Sequence, residues 1–459
     1  MGGLNRRDAA LVAAIGVALL AAIALRDGRS AASREVDPAL ARIEHVVFLI
    51  KENRTFNSYF ATYPGATGST VGGTISCDGT TCVAGPDVAL RTAEDVQKDI
   101  AHCFHCGLVA INGGAMNGFN RMTGLAPGRS TIDGSDLAGY VHFDRSSLPN
   151  YWAYAHRFVL ADRFFTSMYG PTVPEHLYAI AADADGLVDL ANGDDDQRFY
   201  CDDPTDRGSS FRRLLASDVA TIMDLERRVT ESPAIFARLR EYWYTRPYCI
   251  DIPTVIDALL ERDIPWRYYA NVDQAQNVLQ LVRHLREGEA WNHLAPPETF
   301  VRDVRAGDLP AVSWLIPPWY YNEHPWEFSD GSGNSACAGE NWTVHQINAI
   351  MASPMWRNTA IFITWDDYGG FYDHVPPPQV DVFGLPTLTA RDAAASPLWR
   401  YTAIFVSWDD YGGFYDPVPP PQVDGFGFGI RVPLIVLSPY ARSGVVSNEL
   451  GEFSSVLRF

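Results

Sequence analysis

The sequence predicts an α/β fold with a mainly parallel sheet flanked by helices and carrying long loop insertions. Two observations predict it. Short apolar, β-branched runs recur at 43–50, 311–316, 360–364, 403–407 and 434–437, and stretches of helical period, such as 255–262 and 278–285, lie between them. The first run, from Ile43 to Ile50, is almost continuously apolar and meets charged residues at once, the pattern of a strand buried on both faces with a functional end. Between 62 and 139 Gly, Thr, Ser and Asp dominate, and 183–207 is similarly turn-forming, so both are expected as loops or small insertions over the active face. Pro174 suits the first turn of a helix that continues over 177–182, which puts Thr172 at its N-terminus. The strings Val375-Pro376-Pro377-Pro378 and Val418-Pro419-Pro420-Pro421 cannot continue a central strand or a helix, and they end the elements before them.

The runs at 360–364 and 403–407 belong to a tandem duplication, because 353–384 is written again at 396–427 with few changes. The copies carry Trp365-Asp366-Asp367-Tyr368-Gly369-Gly370 and Trp408-Asp409-Asp410-Tyr411-Gly412-Gly413, and only the first keeps a histidine, His374, where the second has Pro417. Two units do not make a solenoid, which needs three or more to bury a continuous core.

Composition bounds function. An apolar fraction of 47% with 12% aromatics marks a globular chain, and a net charge of −19 with no basic block after residue 40 excludes nucleic acid as a partner. Arg6-Arg7, the apolar stretch 9–25 and a small polar segment to Ser33 read as an export signal of twin-arginine type, with cleavage expected after Ala24 or Ala32. The alternative is an uncleaved anchor, since the apolar stretch approaches the ~20 residues that span a bilayer. The expected location is the periplasm, the cell surface or the medium. Seven cysteines fit an oxidising compartment, with Cys77 to Cys82 and Cys201 to Cys249 as candidate disulfides and the odd count leaving at least one cysteine unpaired. His102-Cys103-Phe104-His105-Cys106 resembles half a zinc site, but no second half completes it.

Four polar clusters follow apolar runs or turns, where ligands of open α/β sheets collect. Glu52 and Asn53 offer oxygen ligands for a hard divalent cation, and Asp366 with Asp367 offers more; carboxylates gathered at one point repel each other without one. Glu52 could instead pair with Arg54, and the aspartates could cap a turn. Thr172, at a helix N-terminus that favours negative charge, is a candidate nucleophile or a plain N-cap. His324, in Asn322-Glu323-His324-Pro325, is a candidate proton donor or phosphoryl ligand, as are His102 and His374.

With Glu52-Asn53-Arg54-Thr55-Phe56, Gly170-Pro171-Thr172-Val173-Pro174, Glu323-His324-Pro325 and Trp365 to His374 in this order, the chain resembles the bacterial phosphoesterase family of phospholipases C and acid phosphatases from about Ile43 onward. The resemblance extends over 99–102, 112–119 and 431–439. It implies an alkaline-phosphatase-like core over 41–459 and one divalent metal ion, whose identity oxygen ligands do not fix, held by Glu52, Asn53, Thr172, Asp366 and Asp367. It implies Thr172 as the attacking hydroxyl, with His102, His324 and His374 binding phosphate or moving protons. If the second copy takes the sheet position, Asp409 and Asp410 become the ligands. Thr55, Asn57 and Glu175 stand where the family usually shows Ser, Asp and Asn, and the chain stops at Phe459 where the family continues into a final helix, so a C-terminal truncation is expected. The implied substrate is a phospholipid phosphodiester, with transient contact to a membrane surface. The competing readings are an acid phosphatase on small phosphomonoesters and an exported ligand-binding pseudoenzyme.

Overall fold

The structure, a computed structural model, describes residues 42–78, 82–122, 137–190, 200–203, 205–211, 216–328, 330–377, 430–439 and 441–453. The export segment 1–33 and the second copy, with Asp409 and Asp410, lie outside the described residues. In the unit from His45 onward, one large sheet is built from β1 (His45–Lys51), β2 (Val159–Ala161), β3 (Trp266–Tyr269), β4 (Leu294–Ala295), β5 (Val312–Leu315), β6 (Thr359–Trp365), β7 (Leu434–Leu437) and β8 (Val445–Ser447). Their spatial order is β4-β3-β5-β1-β6-β7-β2-β8. All run one way except β7, which is antiparallel to both neighbours. The expected mainly parallel α/β sheet is therefore present.

Burial explains why the central strands were readable. Every residue of β6 is buried, as are the last five of β1, so both faces of these strands are covered and their sequences run nearly continuously apolar. The first copy of the duplication occupies the slot between β1 and β7, in register from His45 opposite Thr359 to Lys51 opposite Trp365. The later chain is locked to that copy: buried Arg431 meets the Asp373 carboxylate at 3.1 Å, donates to the carbonyls of Thr67 and Asp162, and lies over the Phe56 ring.

Several elements differ from expectation. The helix expected over 278–285 breaks into a 3₁₀ turn, Val278–Gln280, and a short helix, Arg283–Glu287. The loop-like 62–139 contains α1 (Phe104–Ile111), started by Cys103, and two short β-ribbons; the loop-like 183–207 contains the strand Leu187–Leu190 of a separate three-stranded sheet. Cys77 pairs with Cys82 and Cys201 with Cys249, and Cys103 pairs with Cys106, which removes the half-zinc motif as a ligand set; Cys337 keeps its thiol. His105 stacks on Phe236. Among the described residues no helix is long and apolar enough to cross a membrane.

Candidate active site

The site forms where β1 and β6 end side by side. One residue beyond β1, Glu52 is 1% exposed, and Asn53 turns into the left-handed region at φ 53°, a conformation Asn tolerates better than most residues. One residue beyond β6, Asp366 and Asp367 are both fully buried. Each aspartate divides its work between two oxygens. Asp366 Oδ1 accepts the Asn53 N–H at 3.0 Å and the Asp367 N–H at 2.8 Å; Asp367 Oδ1 accepts Asn53 Nδ2 at 2.6 Å and the Gly369 N–H at 2.7 Å. Their Oδ2 atoms remain for the centre. Gly369 and Gly370 have φ of 59° and 75°, and a Cβ on Gly370 would stand 2.3 Å from Ile100 Cγ2, so this turn requires glycine.

A helix, α2 (Thr172–Ala181), delivers the hydroxyl. Thr172 Oγ1 lies 3.5 Å from both Glu52 Oε2 and Asp367 Oδ2. One turn later on the same face, His176 Nε2 comes 3.5 Å from Glu52 Oε1 and 3.8 Å from Asp366 Oδ2. Sequence reasoning gave His176 no role; its i+4 spacing from Thr172 was the available signal. The departures from the family pattern are accommodated locally. Glu175 accepts the N–H groups of Ser167 and Met168, Thr55 caps the helix Phe56–Phe60, and Asn57 accepts from Ser69 and Arg431 while its N–H donates to Asp373.

Four buried atoms at this point, Glu52 Oε1, Asn53 Oδ1, Asp366 Oδ2 and His176 Nε2, have no hydrogen-bond partner. Buried polar atoms are normally paired, and the ligand atoms of Glu52, His176 and Asp366 lie within 4.8 Å of one another, so the residues fit a divalent cation. The electrostatics agree. Burial and the charge of Asp367 push Glu52 up to about 8, burial with Glu52 and Asp367 raises Asp366 well above the carboxylate range, and burial pulls His176 down to about 4. Between those values Glu52 and His176 are both neutral, and their contact is not an ion pair.

A pH signature follows. In the metal-free fold Glu52 keeps its proton to about 8, whereas the unfolded chain loses it near 4.5. The unfolded state binds fewer protons between these values, so metal-free stability falls as pH rises through that window. Chelated protein is expected to melt at a lower Tm at pH 8 than at pH 5, with added Mn²⁺ or Ca²⁺ removing most of the difference. A Tm independent of both pH and cation would contradict the assignment.

The three candidate histidines separate. Burial lowers His102, but Asp367, Asp99, the Ile100 carbonyl and Asp366 outweigh it and push it up to about 9. His102 therefore carries positive charge toward the carboxylates. His324 packs against it with ring centroids 5.6 Å apart, holds the Pro325 carbonyl through Nδ1, and is kept neutral by burial and by the His102 charge. His374 is half-buried, and the charges acting on it are those of Asp373 and Arg431. The structure thus joins Glu52, Asn53, Thr172, Asp366 and Asp367 with His102 and His324 beside them, and sets His374 among a different group.

A family profile described as "Phosphoesterase family" matches residues 43–386 and 387–459. The hemolytic phospholipase C of Pseudomonas aeruginosa is 26% identical over 328 residues, covering 69% of this chain and 39% of that protein. The non-hemolytic phospholipase C of Burkholderia pseudomallei is 25% identical over 490 residues, covering 100% of this chain and 61% of that protein. The chain spans less than two thirds of the length of both relatives. A solved structure of an alkaline phosphatase superfamily protein from Vibrio parahaemolyticus is similar at a TM-score of 0.33 and 9% identity, covering 92% of this chain and 69% of that one. The profile takes in both strand ends, the helix of Thr172 and the histidine loops, and the chain accordingly belongs to the Phosphoesterase family.

Proposed function

We propose that residues 41–459 form the catalytic domain of a metal-dependent hydrolase that cleaves phosphodiester lipids in the manner of a phospholipase C, with Thr172 as nucleophile. The observation that carries this reading is the buried convergence of Glu52 and Asp367 on the Thr172 hydroxyl, with Asp366 grouped beside Glu52 and a positively charged His102 nearby. A divalent cation held by Glu52, Asn53, Asp366, Asp367 and Thr172, with His176 at hand as a further donor, would supply positive charge for the hydroxyl and the phosphoryl oxygens. Thr172 Oγ1 attacks phosphorus in line, and the acceptors for its proton are Glu52 Oε2 and Asp367 Oδ2, each 3.5 Å away. His102 binds the phosphoryl oxygens and gives a proton to the departing alcohol; neutral His324 holds His102 in place. Water then cleaves the phosphothreonine and releases the phosphorylated head group. Export is part of the same reading, supported by Arg6-Arg7 and by three disulfides, which persist in oxidising compartments.

The test compares a chromogenic phosphocholine diester with the matching phosphate monoester on the purified full chain. Faster, chelator-sensitive diester cleavage is expected. Faster monoester cleavage would make the protein a phosphatase, and turnover of neither with no metal uptake would leave the ligand-binding pseudoenzyme.

A further inference from the structure

The residues immediately before three of the site positions meet at one buried point. Lys51 precedes Glu52, Trp365 precedes Asp366, and Glu323 precedes His324. Successive side chains of a strand point to opposite faces, so where β1 and β6 end, Lys51 and Trp365 turn to the face away from the site. The two are cross-strand partners in the sheet. Glu323 joins them: Oε1 lies 3.0 Å from Lys51 Nζ and accepts the Tyr151 hydroxyl at 2.6 Å, while Oε2 accepts the Tyr59 hydroxyl at 2.7 Å and Trp365 Nε1 at 2.9 Å. All five side chains are fully buried.

Two further observations set this apart from ordinary packing. Glu323 is held at φ 78°, a left-handed conformation that a side chain as long as glutamate adopts only when its surroundings over-determine it. The neighbouring helix Ala336–Met351 leaves space for it with Gly339, where a Cβ would stand 2.2 Å from Glu323 Cγ. The backbone repeats the same links, with the Glu52 N–H donating to the Asn322 carbonyl at 2.8 Å and the Asp366 N–H to the Lys51 carbonyl at 2.9 Å.

We propose that Glu323 is a positioning residue for the site: by gripping Lys51 and Trp365 it fixes the spacing of Glu52, Asp366 and the His324 loop before any cation or substrate arrives. The inference rests on the phosphoesterase reading of the site given above. Outer partners of metal ligands typically change metal affinity by about 10- to 100-fold when altered.

The test is Glu323→Gln in the full chain, which keeps the side-chain shape but turns an NH₂ toward one pair of donors. Calorimetric titration with Mn²⁺ is expected to show affinity weakened about tenfold or more, with kcat on the chromogenic diester falling in step and KM changing little. Trp365→Phe, which removes a single donor and keeps the packing, should show a smaller loss of the same kind, and stands in if Glu323→Gln fails to fold. Ile350→Ala, in the core at the far end of the same helix, supplies a comparison at lowered Tm without touching these links. Wild-type cation affinity in the Glu323 and Trp365 variants, or a loss no greater than that of Ile350→Ala, overturns the positioning role. Wild-type protein that takes up no Mn²⁺ and cleaves no ester overturns the site reading itself, and this role with it.

Discussion

Replacing Asp366 or Asp367 by Asn will lower diester turnover by about a thousand-fold, while the double change Asp409→Asn, Asp410→Asn leaves it at the wild-type rate. The magnitude follows from the several kcal/mol that a metal ion contributes to a charged transition state, at about 1.4 kcal/mol per factor of ten. The asymmetry follows from the sheet. Only one strand fits between β1 and β7, and Thr359–Trp365 fills it with every residue buried. In both aspartates Oδ1 is already committed to backbone N–H groups, so an Asn keeps its carbonyl there and turns its NH₂ to the centre, where it repels a cation. The fold should survive. Because burial and neighbouring carboxylates already raise Asp366, its neutral replacement is expected to hold or raise the Tm of the metal-free protein. Metal content of the two single variants and of the double one, measured beside their rates, checks the argument. Full activity in Asp366→Asn would move the site to the second copy.

Thr172→Val is the second large effect. Valine keeps the branched shape at the start of α2 and removes only the oxygen that lies 3.5 Å from Glu52 and Asp367. A lost nucleophile is expected to depress kcat by about 10⁴-fold or more, with substrate affinity and melting temperature nearly unchanged. Trapping with a slow diester should give a phosphorylated wild-type peptide covering residue 172 and none from the variant. A variant that turns over at the wild-type rate removes Thr172 from the chemistry.

Much of this was legible in the chain because the central strands carry their own signal. The runs now seen as β1, β5, β6 and β7 are apolar on both faces, so composition alone marked them. Strand β3 reads Trp266-Arg267-Tyr268-Tyr269, with an arginine that reaches Asp303, and strands β4 and β8 are two and three residues long, too short to show a period. The helix Ala336–Met351 hid for the opposite reason: its buried face carries Gly339, Glu340, Thr343 and Gln346 among few apolar residues, so no apolar stripe marks it. Glu52, Asn53, Asp366 and Asp367 stood out because they follow strands, and Thr172 because it begins a helix. The links beneath them did not, since nothing local distinguishes a buried Lys51 from a solvated one before Glu323 is brought to it from 272 positions away.

That separation has a consequence for how the protein matures. Glu52, His102, Thr172, His324 and Asp366 each come from a different stretch of chain, and Arg431 ties Asp373 to Thr67 and Asp162 from further still. Contacts so distant in sequence form late, after the closure entropy of long loops has been overcome. No early folding intermediate therefore owns a working centre. On the phospholipase C reading proposed above, ester cleavage then begins only once these distant stretches have met, so activity is the last property that folding confers.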